Sequence, residues 1–301
     1  MILKGQNFRI LFENGDNNLQ CIGMATNCSV TLTGNTEDAS HKDITGMAAL
    51  PEIVSKGWQV QVDSLDVTDT AAMLTAIKNK QAFQLWWDET STDDNQEALE
   101  AAFARTGMAY LSDGSFVFNN RENSTKSLQF SGTGALSKTT ATGYDTITPA
   151  GFTKGQFVRL FLGSDNTTAP SKVIAAATSL TLHVSLTLED ATTKDTTGDW
   201  IVQEPTGLSY DISTSALMRG DDTITSSVDG QEIADLEDIY EASQPVKWKI
   251  ANVSGNNNRT AGATIVSGSV VITQLTLNGP NRQNATYDAQ LTGYGDYTVG
   301  A

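Results

Sequence analysis

The chain has 301 residues, 39% of them hydrophobic, and a formal net charge of -16. That length accommodates two units of about 150 residues, each large enough to bury its own core. The acidity repels polyanions and argues against tight nucleic-acid binding. It divides evenly, with 10 Lys and Arg against 18 Asp and Glu in residues 1–150 and 9 against 17 in residues 151–301, hence -8 in each half. No run reaches the ~18 apolar residues of a membrane-spanning helix. Residues 1–7 lack the apolar stretch of a signal peptide, so folding in a cytoplasm is expected.

In chain order, residues 8–12 read as a strand, and residues 26–32 as the next. A long connection spans residues 32–58. Trp58, Val60 and Val62 then alternate with Gln59, Gln61 and Asp63, as in a strand with one buried and one wet face. Residues 70–80 place Ala72, Leu74, Ala76 and Ile77 in a loosely helical pattern. A strand over 83–87 follows, where the adjacent Trp86 and Trp87 point to opposite faces, one into the core and one toward an interface. Residues 95–104 are helix-compatible, and strands over 108–118 and 126–131 close the half around a turn at Asn119-Asn120.

The second half repeats this order. Strands are expected over 157–162 and 178–186, a connection over 186–208, and alternation of Leu208, Tyr210 and Ile212 against Ser209, Asp211 and Ser213. A helix over 230–242 spaces Ile233, Leu236 and Ile239 by three. Strands over 246–250, 267–277 and 286–292 complete it, with a loop over 255–263 and a turn at Gly279-Pro280-Asn281.

The sequence itself is duplicated. Lys4-Gly5-Gln6 and Arg9 return as Lys154-Gly155-Gln156 and Arg159, at an offset of 150. The run from Glu37 to Gly46 returns as Glu189 to Gly198, at 152, and Arg121-Glu122-Asn123-Ser124-Thr125 as Arg282-Gln283-Asn284-Ala285-Thr286, at 161. Three blocks in one order exceed coincidence. The period is far longer than the 20–50 residues of a solenoid repeat. The reading is therefore mainly β: two tandem sandwich or barrel units, residues 1–140 and 141–301, each with one short flanking helix.

Catalytic chemistry is thinly represented. The two histidines, His41 and His183, fall opposite Thr193 and Thr31 in the repeat, so neither belongs to a shared site of the Ser-His-Asp kind. Cys21 and Cys28 fall opposite Val173 and Leu180 and read as small core hydrophobes. Gly132-Thr133-Gly134 lacks the third glycine and the helix of a dinucleotide loop. Asp63, Asp66 and Asp69, Asp93-Asp94 and Asp221-Asp222 do not match a calcium loop. No catalytic residue, metal site or cofactor is expected. The long connection holds the best-repeated sequence of the chain. It is expected to make contacts through Glu37, Asp38, Lys42 and Asp43 and through Glu189, Asp190, Lys194 and Asp195.

Each half resembles a phage major tail tube protein of long-tailed phages. The likeness rests on the opening Lys-Gly-x-x-x-Arg strand and the Ala25-to-Leu32 strand running into the Glu-Asp-x-x-x-Lys-Asp segment at Glu37–Asp43. It continues through Gly57-Trp58, the helix near Thr70, and the closing segment from Glu122 through Phe130-Ser131-Gly132-Thr133-Gly134-Ala135-Leu136. Gly207-Leu208 in place of Gly57-Trp58, and the duplication itself, depart from the pattern. The resemblance implies a structural protein rather than an enzyme. It implies rings stacked into a hollow tail tube, here trimers with pseudo-sixfold symmetry, with DNA passing through the lumen without specific binding. It further implies partners such as a tape measure and a tail terminator, a place in the virion tail, no membrane, and synthesis in the bacterial host cytoplasm. The alternatives are a tandem β-sandwich binding module, such as an adhesin or carbohydrate-binding protein, and the tube of a contractile injection or secretion system.

Overall fold

The computed structural model describes residues 5, 8–13, 19–43, 48–65, 70–90, 99–139, 153–218, 230–255 and 260–300. The first half contains β1 (Phe8–Glu13), β2 (Leu19–Cys21), β3 (Ala25–Asp38), β4 (Pro51–Ser64), α1 (Thr70–Lys78), β5 (Ala82–Thr90), β6 (Leu99–Val117) and β7 (Thr125–Ser137). The second contains β8 (Val158–Leu162), β9 (Lys172–Ile174), β10 (Ala177–Asp190), β11 (Gln203–Leu217), β12 (Gly230–Gln231), α2 (Ile233–Ala242), β13 (Val246–Asn252), β14 (Thr264–Asn278), β15 (Thr286–Gly293) and β16 (Thr298–Val299). The protein is mainly β, as its alternation predicts.

Hydrogen-bonded neighbours run β2-β1-β5-β6-β7-β4-β3 in the first half. They run β9-β8-β13-β14-β15-β11-β10 in the second, which is the same order. The repeat extends to backbone strain. Six non-glycine residues among those described have positive φ, and they form three pairs: Met24 and Ala176 (49° and 52°), Lys80 and Ser243 (53° and 52°), Arg121 and Arg282 (65° and 62°). A side chain in this region is held by its surroundings, so the two halves share the same turns.

The alternation sets the layers. Val60 and Val62 are fully buried, as are Leu128, Phe130 and Ile212, and together with Trp58 they share one core with Met73, Leu74 and Ile77 of α1 and Leu236 of α2. One cluster of buried apolar side chains spans both halves. Trp87 is buried within it, and Trp86 is half-buried on the opposite face. Helix α2 opens with the Glu232 N–H donating to Asp235 Oδ2 at 2.9 Å and stops at Ser243, whose left-handed backbone ends the helix.

Three expectations are corrected. Of residues 95–104, read as helix-compatible, 95–98 lie outside the described residues and 99–104 are the start of β6, where Glu100 and Leu99 pair with Glu89 and Thr90 of β5. The pattern there was too short to exclude a strand fed by a neighbour. The connections over 32–58 and 186–208 are not open loops, because β3 and β4, like β10 and β11, continue as long hairpins. Finally, Trp58 pairs with Leu32 and Tyr210 with Val184, so the structural twin of Trp58 is Tyr210, two residues beyond Leu208.

Candidate assembly surface

The two halves join edge to edge. Strand β6 has 19 residues; β5 pairs with its first part and leaves the end open. Strand β10 fills that end, with Thr181 opposite Val117, Leu182 opposite Phe116, His183 opposite Ser115, Val184 opposite Gly114 and Ser185 opposite Asp113. The ladder continues as Leu180 and Phe118 exchange both backbone hydrogen bonds, at 3.1 and 2.7 Å. On the core side Leu180, Leu182 and Val184 are sealed, at 1–3% exposure. Helix α1 lies over the seam, its Ile77 beside Gly114 and Phe116. Tyr297, buried before β16, donates its hydroxyl to the Leu74 carbonyl of α1 at 2.6 Å.

A second contact flanks the seam. Backbone bonds run from Lys56 N–H to Asp199, from Ile201 N–H to Lys56 and from Gly134 N–H to Ile201. Lys56 Nζ lies 3.0 Å from Asp199 Oδ2, with both side chains about half exposed, so this ion pair contributes on the order of 0–1 kcal/mol. The segment that ends the second hairpin thus docks on the first half.

The opposite face of the sheet is polar. One row crosses both halves in continuous register, Asp63–Ser127–Ser115–His183–Asp211–Thr292. Its imidazole is held on both sides, with Nδ1 at 2.9 Å from Asp211 and Nε2 at 2.7 Å from Asp113. Burial alone would lower the His183 pKa, but the hydrogen bonds to Asp211 and Asp113 and their charges outweigh it, and the pKa is raised. Strands β3, β10, β11, β14 and β15 contain no Lys or Arg. Lys126 of β7 is turned into the core at 1% exposure. Around the seam the face is therefore acidic, carrying Asp63, Asp113, Asp211 and Asp288 with His183, while Lys247 and Lys249 of β13 stand on the same side farther along the sheet.

Residues 153–299 match the family model of the phage tail tube protein. The second half of this chain belongs to the phage tail tube protein family. No curated protein matches the chain. Among solved structures, a chain from the tail of an empty gene transfer agent particle refined with C6 symmetry is similar at 17% identity and a TM-score of 0.35, over 48% of this chain and 95% of that one. A chain of the native gene transfer agent virion is similar at 16% and 0.35, over 50% and 99%. The SPP1 tail tube chain is similar at 14% and 0.34, over 49% and 78%.

The first half carries the same elements as this family unit, and each half leaves open the surface whose counterpart in the other half is covered at the seam. Counting along the shared register, Val184 corresponds to Leu32, Phe116 to Leu277 and Ile77 to Tyr240. Val184, Phe116 and Ile77 are 0–1% exposed, whereas Leu32, Leu277 and Tyr240 are exposed by 63, 47 and 49%. Thr133, in the second contact, corresponds to Tyr294, which is 55% exposed. These residues are missed by sequence reading because an exposed apolar side chain in a strand looks like a core residue.

The residues expected to make contacts are distributed along the two hairpins. Glu37 and Asp38 lie in β3 opposite Glu52 and Pro51, and Glu189 and Asp190 lie in β10 opposite Glu204 and Gln203. Lys42, Asp43, Lys194 and Asp195 sit at the hairpin tips and are exposed, and residues 44–46 lie outside the described residues. Asp38 and Asp190 accept hydrogen bonds from residues 40 and 192, which lowers both pKa values. Asp66, Asp69, Asp93, Asp94, Asp221 and Asp222 also lie outside the described residues. Among the described residues no group of His, Cys, Asp and Glu is arranged to hold a metal. No described helix is long and apolar enough to cross a membrane. Cys21 is buried and Cys28 half-buried, and neither is in a disulfide.

Proposed function

We propose that this chain is a structural protein of a phage tail, assembling as rings that stack into the hollow tube through which DNA passes. The observation that carries the reading is the seam. One half offers a strand edge, the other receives it, and the complementary edge and receiver remain exposed at the two ends of the chain. A head-to-tail contact of this kind closes into a ring or runs on as a filament. Residues 1–140 and 141–301 act as two copies of one tail-tube-like unit, so three chains supply six units to a pseudo-hexameric ring.

The polar face lines the bore. Its carboxylates, and the absence of Lys and Arg from β3, β10, β11, β14 and β15, keep the DNA backbone from adhering, since affinity for DNA comes chiefly from cationic contacts with phosphate. The hairpin tips, with Lys42 and Asp43 and with Lys194 and Asp195, contact neighbouring subunits or the next ring. The tape measure and the tail terminator are the other partners of such a tube, and the virion tail is its location.

Negative-stain electron microscopy of the concentrated chain, averaged down the axis, tests the proposal. Hollow rings of six lobes built from three chains are expected. Monomers that persist with the neighbouring tail proteins added would return the reading to a tandem binding module. A sheath around the tube in the assembled particle would assign it to a contractile system.

A further inference from the structure

We infer that β3 of one chain seats on the end of β14 in the next, in the register that β10 takes on β6, so that Thr31 lies opposite Thr276, Leu32 opposite Leu275 and Val30 opposite Leu277. The inference rests on ring assembly as proposed above and specifies its surface.

The receivers correspond residue by residue. Strand β6 shifts register against β7 between Leu111 and Asp113, and β14 shifts against β15 between Ile272 and Gln274. Both bulges lie beside the receiving segment, and Gly114, Ser115 and Phe116 become Leu275, Thr276 and Leu277. On the donor side His183 and Val184 become Thr31 and Leu32. Strand β3 pairs with β4 along one edge, and its other edge corresponds to the edge of β10 that β6 covers.

Volume is exchanged between adjacent rungs. Within the chain, the large pair Leu182 and Phe116 stands next to the small pair Val184 and Gly114. Between chains, the corresponding rungs are Val30 with Leu277 and Leu32 with Leu275. One rung loses bulk and the next gains it, so the four strand positions together hold nearly the same amount of side chain in both layers, as a well-packed layer requires. Helix α2 lies over this layer, and Tyr240 takes the place of Ile77.

The flanking contact follows the same rule. Gly134, at φ 74°, donates its N–H to Ile201, and Gly295 has φ 73°. Position 201 corresponds to Ala49, so Gly295 of one chain donates to Ala49 of the next. Leu50, Ile53 and Val54, exposed by 50, 52 and 43%, then lie beside Tyr294. Seven of the eight exposed large hydrophobic residues among those described fall on these two mating surfaces, Met108 being the exception. Scattered apolar residues need no explanation, but contiguous ones mark an interface.

The polar rungs differ in kind. His183, Asp211 and Asp113 become Thr31, Gln59 and Gln274. The contact between chains is uncharged there, which two acidic surfaces require if they are to approach.

Disulfide trapping tests the register. Leu180 and Phe118 exchange both backbone bonds, so His183 and Ser115, three residues along each strand, form a non-hydrogen-bonded pair. Such pairs bring Cα atoms to about 4.5 Å, within reach of a disulfide. The Thr31→Cys/Thr276→Cys chain, with Cys21→Val and Cys28→Leu to remove native thiols, is assembled and oxidised. Covalent dimers and trimers are expected, and neither single variant should form trimers. Thr31→Cys paired with Gln274→Cys or Asn278→Cys should crosslink at least tenfold less. Rings that form without the Thr31–Thr276 crosslink, or with a shifted pair preferred, overturn the register and leave the tube reading standing. Absence of rings for the native chain with its neighbouring tail proteins overturns both. As a second variant, Leu32→Arg should keep the native circular dichroism spectrum and lose rings; intact rings from it count against the surface.

Discussion

Asp63 and Asp288 place a carboxylate at the same point of the repeated unit from opposite strands. Asp63 on β4 faces Ser127 on β7, whose hydroxyl donates to it at 2.6 Å. In the second half Ser215 on β11 takes the place of Asp63 and donates to Asp288 on β15 at 2.5 Å. Opposed residues on neighbouring strands have Cβ atoms about 5 Å apart, so exchanging the partners moves the charge little. The position of the charge is kept while the strand that bears it changes.

This reciprocity predicts a thermodynamic cycle. Asp63→Ser leaves two serines and removes the carboxylate that accepts from both Ser127 and Asn27, which should cost about 1–3 kcal/mol. Adding Ser127→Asp recreates the arrangement of the second half and should restore stability to within about 0.5 kcal/mol of the native chain. Urea unfolding of the four variants gives the coupling directly. Additive costs in the double variant would refute the equivalence.

His183 predicts a pH dependence. Its folded pKa is raised, so its stabilising effect is complete below the unfolded value near 6.5 and is lost as pH rises through the folded pKa. Melting temperature, after allowance for other groups, should fall across that window. His183→Thr, which copies Thr31, should flatten the difference. An unchanged pH profile in the variant would remove His183 from the seam's energetics.

The contact of Trp58, and of its twin Tyr210, with a glycine predicts steric sensitivity. A Cβ added at Gly132 would lie 2.1 Å from Trp58 Cε2, and one at Gly293 would lie 2.6 Å from Tyr210 Cε1. Gly132→Ala should therefore destabilise by about 1–3 kcal/mol. Trp58→Ala should cost about 3–5 kcal/mol, and Trp58→Tyr, which copies Tyr210, should cost less than Trp58→Ala. Thermal unfolding ranks the three.

Burial predicts an unreactive thiol at Cys21. Desolvation pushes its pKa up to about 11, against a smaller lowering by Arg9. At pH 8 the reactive thiolate is scarce. Alkylation of the native chain should leave Cys21 unmodified until denaturant is added, as read by peptide mass spectrometry. Rapid labelling of the folded chain would contradict the buried placement.

The sequence by itself determined the duplication, the mainly β class, the two helices and the inward side of each strand. These follow from local propensity and from alternation, which a single strand already contains. It also assigned Cys21 and Cys28 to aliphatic positions, since their counterparts are Val173 and Leu180. Alternation does not change when a strand slides by two residues. For that reason Leu208 and Tyr210 were equally good partners for Trp58 until strand pairing selected Tyr210. Leu32 and Leu277 look like core residues in sequence, because a strand edge carries no mark of whether a neighbour covers it. Only the tertiary structure, by seating β10 on β6, distinguished the covered edge from the open one, since that pairing joins residues far apart in the chain.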